Sequence, residues 1–286
     1  MLVTSRDLFK KAKKGGWAVG AFNTSDIEIT KGIIEAAEEL NSPIIIETSE
    51  GEMDFLSPDL AVAEVRALAK KAKIPIVLHL DHGKSYEACE RAIGAGYTSV
   101  HIDGSSLDLE ENLEVTKKVS GLVKRKKLTV EGEIGHVPGS SQNHSHEISI
   151  DKEMFTDPKA ATDFVKKTQV DILAVSIGNI HGIYTTPPKL DIERLRAIVK
   201  STGKYISLHG GSGIPKNQIK QAIENGVVKV NVNTELRLAF KEGLLHEFNV
   251  HPDNVVPYKF LPAGREAVKK VVMEKIRLFG SEGKAV

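Results

Sequence analysis

Eight short β-rich runs recur along the chain, each separated from the next by a segment with helical periodicity. No other feature constrains the fold as much. The runs are WAVGAFN (17–23), PIIIETS (43–49), IPIVLHLD (74–81), YTSVHID (97–103), LTVEGEIG (128–135), VDILAVSIG (170–178), KYISLHGG (204–211) and VVKVNVNT (227–234). Between the first two, DIEITKGIIEAAEELN places Ile29, Ile33, Ile34, Ala37 and Leu40 at helical spacing. SPDLAVAEVRALAKKAK and IPKNQIKQAIENG open on Ser-Pro and Ile-Pro, which suit a first helical turn, and Gly94, Gly96, Gly203 and Gly226 fall where helices should stop. Alternating β and α elements imply parallel strands joined by right-handed crossovers. Eight such units in 286 residues point to a (β/α)8 TIM barrel rather than an open doubly wound sheet, and the first turn, NTSD, offers no Gly-rich dinucleotide fingerprint. No Pro/Gly-rich linker interrupts the pattern, so residues 1–286 are expected to form a single barrel domain. An extra C-terminal helix, PAGREAVKKVVMEKIRLFG, should pack on the barrel's outside.

Composition narrows the function classes. Lys+Arg 39 against Asp+Glu 38 gives no overall field to attract nucleic acid or a membrane surface. A single cysteine, Cys89, excludes an internal disulfide and any multi-thiolate metal site, and its place in a helical pattern suggests a buried small side chain. The N-terminus, MLVTSRDLFKKAKKGG, lacks the apolar core of a signal peptide, and no run reaches membrane-spanning length, so a cytoplasmic protein is expected.

In a barrel of this kind, chemistry collects at the C-terminal strand ends. There the sequence places Asp81-His82, then Asp103, then Glu131 and Glu133. Farther on come His181 in GNIHG, His209 in HGGSG, and Asn231, Asn233 and Thr234 in NVNT. Three imidazoles, His82, His181 and His209, are the ligand set of a catalytic zinc site with one open position. Each taken alone reads first as a hydrogen-bonded structural histidine; three at matching barrel positions favour the metal site. His79 and His101 point deeper into the barrel and read as supporting or core groups. HGGSG followed by Ile214-Pro215 joins a strand to a helix start through adjacent glycines, a backbone suited to an anion; a tight turn with a Ser cap is the alternative.

HLDHG, VEGEIG, GNIHG, HGGSG and VNVNTE occur in the order and spacing of the class II, metal-dependent fructose-bisphosphate aldolases. The chain resembles that family from AVGAFN to KFLPAGREAVKK, and most closely the branch that also contains tagatose-bisphosphate aldolases. The resemblance implies zinc on His82, His181 and His209, with the ion holding carbanion charge during C3–C4 cleavage. Asp81 would be the acid/base for the C4 hydroxyl. Glu133 matches a carboxylate that takes the metal in an alternative position, with Asp103 beside it; both could instead orient imidazoles. Gly182, Gly210, Gly211, Ser212, Asn233 and Thr234 match the pocket for the dihydroxyacetone-phosphate phosphate, where a sodium or potassium ion is also implied. Asn231, Asn23 and Ser49 match contacts to substrate, and Arg265 would clamp the other phosphate, from this subunit or a partner. A homodimer or homotetramer follows from the same likeness.

Lys229 shares the parity of Asn231 and Asn233, so it should point into the barrel. An ion pair with Glu131 or Glu133 is expected there rather than a Schiff base. Where relatives carry an acidic lid after strand five, this chain reads GHVPGSSQNHSHEISIDKEMF; Glu147 is the candidate lid carboxylate, and His144 and His146 are expected to be solvated. The activity implied is cleavage of fructose 1,6-bisphosphate to dihydroxyacetone phosphate and glyceraldehyde 3-phosphate. Gly at the second position after His209 leans towards fructose over tagatose 1,6-bisphosphate. A non-catalytic sugar-phosphate-binding protein is disfavoured by the intact Asp81 and histidines.

Overall fold

In a computed structural model, residues 1–144 and 151–285 are described. Eight parallel strands close into a barrel: β1 (Val19–Asn23), β2 (Ile44–Ser49), β3 (Ile76–Gly83), β4 (Ser99–Ile102), β5 (Thr129–Ile134), β7 (Ile172–Val175), β9 (Tyr205–Leu208) and β10 (Val227–Val232). Each lies within one of the eight runs read from the sequence, β3 alone running two residues farther. Among the described residues, two short strands stand outside the barrel: β6 (Gly139–Asn143) pairs with β8 (His181–Ile183). The segment after β5, expected to be a loop, therefore begins as a strand, and GNIHG ends in one.

Period-two alternation sorts the barrel's side chains. Phe22, Ile44, Ile46, Ile76, Leu78, Leu80, Val100, Val130, Leu173, Ile206 and Leu208 face the helices and join the main apolar core. Val19, Ala21, Ile45, Val77, Ile172 and Val228 face the lumen at its lower end. There α1 (Arg6–Gly15) plugs the barrel with Leu8, Phe9 and Ala12, and Ser5 just before it bonds Thr129 of β5 at 2.7 Å.

Helices start under side-chain caps at the opposite, C-terminal end of the strands. Asp26 caps α2 (Ile27–Glu39), and Ser49 with Glu52 forms a capping box on α3 (Glu50–Leu56). Ser85 caps α5 (Tyr86–Ala95), in which Cys89 is fully buried. Pro58 opens α4 (Pro58–Lys71) as expected, whereas Pro215 precedes α9 (Lys216–Glu224) as its cap. Gly96 and Gly203 end α5 and α8 (Ile192–Thr202) in the left-handed conformation; Gly94 lies inside α5 instead of stopping it. The C-terminal part is larger than the sequence suggested. α10 (Thr234–Val250) pairs with α11 (Pro257–Phe279), which starts five residues before Pro262 and carries it in its second turn. α11 packs on α2 and buries Val268, Val272, Ile276 and Phe279 against the barrel. Among the described residues, no helix is long and apolar enough to cross a membrane.

Candidate active site

The site is built where β3 breaks its own regularity. Neighbouring residues of a strand point to opposite faces, so Asp81 and His82 should not both reach the lumen. The pairing of β3 with β4 shifts between Leu80 and Gly83, and His82 adopts a φ of +48°. This bulge brings both side chains to one place. A non-glycine residue in that conformation carries strain on the order of 1 kcal/mol. His82 is held there from several sides: its backbone N–H donates to His101 Nδ1 at 3.3 Å and its Nδ1 bonds Asp103 Oδ2 at 2.7 Å.

The tautomers of three histidines follow from their other partners. His82 Nδ1 faces the Asp103 carboxylate, His209 Nε2 faces Glu131 Oε1 at 2.7 Å, and His181 Nδ1 faces the Val137 carbonyl at 3.3 Å. In the neutral rings each acceptor receives the N–H hydrogen bond, which leaves His82 Nε2, His209 Nδ1 and His181 Nε2 as lone pairs. These atoms crowd together: His82 Nε2 lies 2.9 Å from His209 Nδ1 and 3.2 Å from His181 Nε2. Tetrahedral ligation at zinc–nitrogen bond lengths would set ligand nitrogens roughly 3.3 Å apart, close to the two spacings that His82 makes, although His181 belongs to neither of the groups whose ligand atoms all lie within 4.8 Å of one another. Ligand atoms of Asp81, His82, His101 and His209 all lie within 4.8 Å of one another, and those of His82, Asp103 and Glu133 form a second such group.

Electrostatics describe the same attraction for positive charge. Burial opposes a charged imidazole at His82, but Asp81, the Asp103 hydrogen bond and Glu133 outweigh it and push the group up to about 9. Burial and then the His82 charge hold His181 down to about 3. Burial also works against the Asp81 carboxylate, yet His82, His209 and Lys229 keep it well below the usual range. Glu133 is pushed up to about 8, by burial first and then by Asp103. Its Oε2 is buried without a hydrogen-bond partner among the described residues and stands 3.5 Å from His101 Nε2 and 3.8 Å from His82 Nδ1.

Asp81 is gripped by two amides. Asn23 Nδ2 donates to Oδ2 at 3.1 Å and Asn231 Nδ2 donates to Oδ1 at 3.1 Å. Among the described residues, Asn231 Oδ1 is buried without a partner. Beneath lies a closed charge cluster: Lys229 Nζ is 2.8 Å from Glu131 Oε2 and 3.4 Å from Glu47 Oε2, all three residues fully buried. Burial alone would discharge Lys229, but the two glutamates hold it above its ordinary value, which suits an ion pair and not a nucleophilic amine. His79 joins this cluster, bonded to Ser99 at 2.8 Å and pushed down to about 3, by burial and then by the Lys229 charge.

One cavity collects Asn23, Ser49, Asp81, His82, His181, Gly182, His209, Gly210, Ser212, Asn231, Asn233 and Thr234. At one end Gly210 and Gly182 have φ values of +63° and +101°. A Cβ on Gly210 would sit 2.0 Å from the Ile180 carbonyl oxygen, so only glycine lets the chains approach. Gly211 stands behind the wall, its N–H bonded to the Asn231 carbonyl at 2.9 Å. α10 starts here: Asn233 and Thr234 line the cavity and the Glu235 N–H donates to Ser212 Oγ at 3.3 Å, which sets the positive end of the helix at the cavity wall.

Asp103 orients His82 and also receives Lys84. Arg265 lies on α11, 3.4 Å from Glu28 and 3.6 Å from Glu35, and does not line the cavity. His144 stacks on the Tyr184 ring at 4.4 Å. His146 and Glu147 lie outside the described residues. Two cavity residues went unread in the sequence: Ser141 of β6 and Arg237, whose Nη2 bonds Glu52 Oε1 at 2.6 Å. Arg237 falls three residues after Thr234, on the first turn of a helix that starts at the site, and that spacing was the available signal.

Comparison with known proteins gives the same picture. The family described as fructose-bisphosphate aldolase class-II matches residues 3–284. The chain belongs to the class II fructose-bisphosphate aldolase family. Fructose-bisphosphate aldolases of Staphylococcus epidermidis and Staphylococcus aureus are each 39% identical to it over 287 residues, covering 99% of both chains. Among solved structures, the YdjI aldolase of Escherichia coli K12 superposes with a TM-score of 0.86 at 35% identity, covering 100% of each chain. Fructose-bisphosphate aldolase of Campylobacter jejuni shares the fold, with a TM-score of 0.83 at 23% identity, covering 99% of this chain and 96% of the other. Class II aldolases depend on a metal, and this member carries a His/Asp cluster able to hold one.

Proposed function

We propose that this class II aldolase reversibly cleaves fructose 1,6-bisphosphate to dihydroxyacetone phosphate and glyceraldehyde 3-phosphate, with zinc as its metal. The observation that carries the reading is His82 Nε2 standing within 3.2 Å of a nitrogen of His181 and within 2.9 Å of one of His209, beside an ionised, amide-gripped Asp81. His82, His181 and His209 would hold the ion, and zinc suits three imidazoles with an open position. Bound there, it supplies the positive charge that offsets negative charge developing on the ketose oxygens. Glu133, with its unpartnered Oε2, gives a second place for it beside Asp103.

The other steps belong to the chain's own groups. Asp81 accepts the C4 hydroxyl proton as the C3–C4 bond breaks and returns it in the condensation direction. Asn231, through its free Oδ1, receives a substrate hydroxyl. Gly182, Gly210, Ser212 and the α10 N-terminus seat the phosphate of the dihydroxyacetone half, with a monovalent cation beside it. Arg237 is the cation this cavity itself offers to the second phosphate, with Arg265 serving that end only from a partner subunit of a dimer or tetramer. We place the enzyme in the cytoplasm as a single barrel domain.

A coupled assay of fructose 1,6-bisphosphate cleavage, before and after chelation and zinc restoration, tests this. Activity should vanish with the chelator and return with zinc. Activity indifferent to the chelator would overturn the metal assignment, and turnover of tagatose 1,6-bisphosphate in preference to fructose 1,6-bisphosphate would overturn the substrate.

A further inference from the structure

Glu52 is 7% exposed and sits on α3, outside the barrel strands, yet it receives four donors from around the cavity. Asn23 Nδ2 reaches Oε2 at 3.0 Å and the Ser49 backbone N–H reaches the same oxygen at 2.8 Å. Arg237 Nη2 reaches Oε1 at 2.6 Å, and Asn233 Nδ2 approaches that oxygen at 3.4 Å. The Asn23 amide has two hydrogens, one for Glu52 and one for Asp81 Oδ2. A carboxylate accepts and never donates, so Glu52 forces the NH2 end of Asn23 towards Asp81 and excludes the flipped amide. Across the cavity the pattern repeats: Asn231 Nδ2 divides itself between Glu47 Oε1 at 2.8 Å and Asp81 Oδ1 at 3.1 Å.

We propose that Glu52 is a positioning residue of the aldol site: through Asn23 it fixes the direction of the Asp81 carboxylate, as Glu47 does through Asn231. The inference rests on Asp81 being the acid/base. Glu52 touches no reacting atom; it acts on catalysis by keeping one donor amide aimed at one oxygen, and it binds Arg237 with its other oxygen. Asn23 and the Ser49 N–H share Oε2, so a glutamine that turns its carbonyl to the Arg237 cation presents its NH2 to both and takes the acceptor from Asn23, while Ser49 Oγ still accepts the residue-52 N–H at the start of α3.

The test is Glu52→Gln, Asn23→Ala and the double variant in the zinc-loaded enzyme, with zinc content and melting temperature measured alongside. Glu52→Gln should lower kcat on the order of 10-fold without raising KM, at unchanged zinc content, because misaim of a reacting group affects the rate and not ground-state binding. In the Asn23→Ala background the same substitution should change kcat by less than about twofold, since the two act in series. A wild-type kcat in Glu52→Gln, multiplying effects in the double variant, or a loss of zinc and melting temperature that accounts for the lost rate would overturn the proposal. Asp81→Asn is the control: if it keeps full activity the acid/base reading fails, whereas a dead Asp81→Asn beside an undisturbed Glu52→Gln removes only the role of Glu52.

Discussion

The barrel lumen has a lower and an upper half, built by the same strands with the same alternation and filled by opposite chemistry. Below, Val19, Ala21, Ile45, Val77, Ile172 and Val228 meet Leu8, Phe9 and Ala12 of α1 in an apolar plug. Higher up, β2 and β3 carry Glu47 and His79 two residues farther along the same faces, β5 adds Glu131, and β10 brings in Lys229, next after Val228 where its pairing with β9 shifts, all buried. Another pleat up stand Ser49, Asp81, Glu133 and Asn231. Apolar burial stabilises by itself, at roughly 25 cal/mol per Å2. Buried charge stabilises nothing by itself; it must be matched partner by partner. The lower half can therefore hold the barrel closed while the upper half is given over to a network whose geometry matters more than its contribution to folding.

Three substitutions separate the halves. Asp81→Asn keeps the shape but removes the proton acceptor, and its NH2 replaces the oxygen that one of the two neighbouring amides donates to. We expect kcat to fall on the order of 10³-fold, with the melting temperature unchanged or raised, measured by coupled assay and calorimetry. A rate within tenfold of wild type would show that the uppermost layer does not house the acid/base.

Lys229→Met tests the layer beneath. It leaves Glu131 and Glu47 facing each other without a cation, in a place where both are fully buried. Removing one partner of a buried pair costs about 3 to 5 kcal/mol, and urea unfolding should show a loss in that range. Activity measured on the folded fraction should survive treatment with borohydride and substrate in the wild type, since the amine is protonated and paired. Wild-type stability in Lys229→Met would mean that the charge layer is no more demanding than the apolar one.

How much of this was legible in the sequence depends on the range of the cause. Strand positions and lumen parity are local, so β1 to β5 and their polar ends could be read residue by residue. His82, His181 and His209 were found because each closes a strand or opens the loop after one. The bulge that lets Asp81 and His82 act together was not legible, since a register slip against β4 depends on where Gly83 meets Ile102. Glu52 reads locally as a helix cap and Arg237 as a surface charge on α10; only the closed barrel brings them within 2.6 Å. The β6–β8 pair is three to five residues per strand, too short for periodicity to reveal. α11 ran past Pro262 because that residue falls in the helix's second turn, where packing on α2 and the barrel outweighs a lost hydrogen bond.

Ile45→Val makes the smallest and most pointed test. Ile45 lies on β2, on the face that carries Glu47 one pleat above and Ser49 two above, and is 1% exposed. Loss of one methylene in a packed plug should cost about 1 kcal/mol in unfolding free energy, from lost transfer energy and a small void. If the lower half only closes the barrel, kcat and KM should both stay within about twofold of wild type. The void would then be absorbed by α1, whose Leu8 and Phe9 seal the floor from outside the strands. A fall in kcat larger than the stability loss explains would mean that β2 transmits packing upward to Glu47, and through Asn231 to Asp81. The division of the lumen would then be one of composition and not of function.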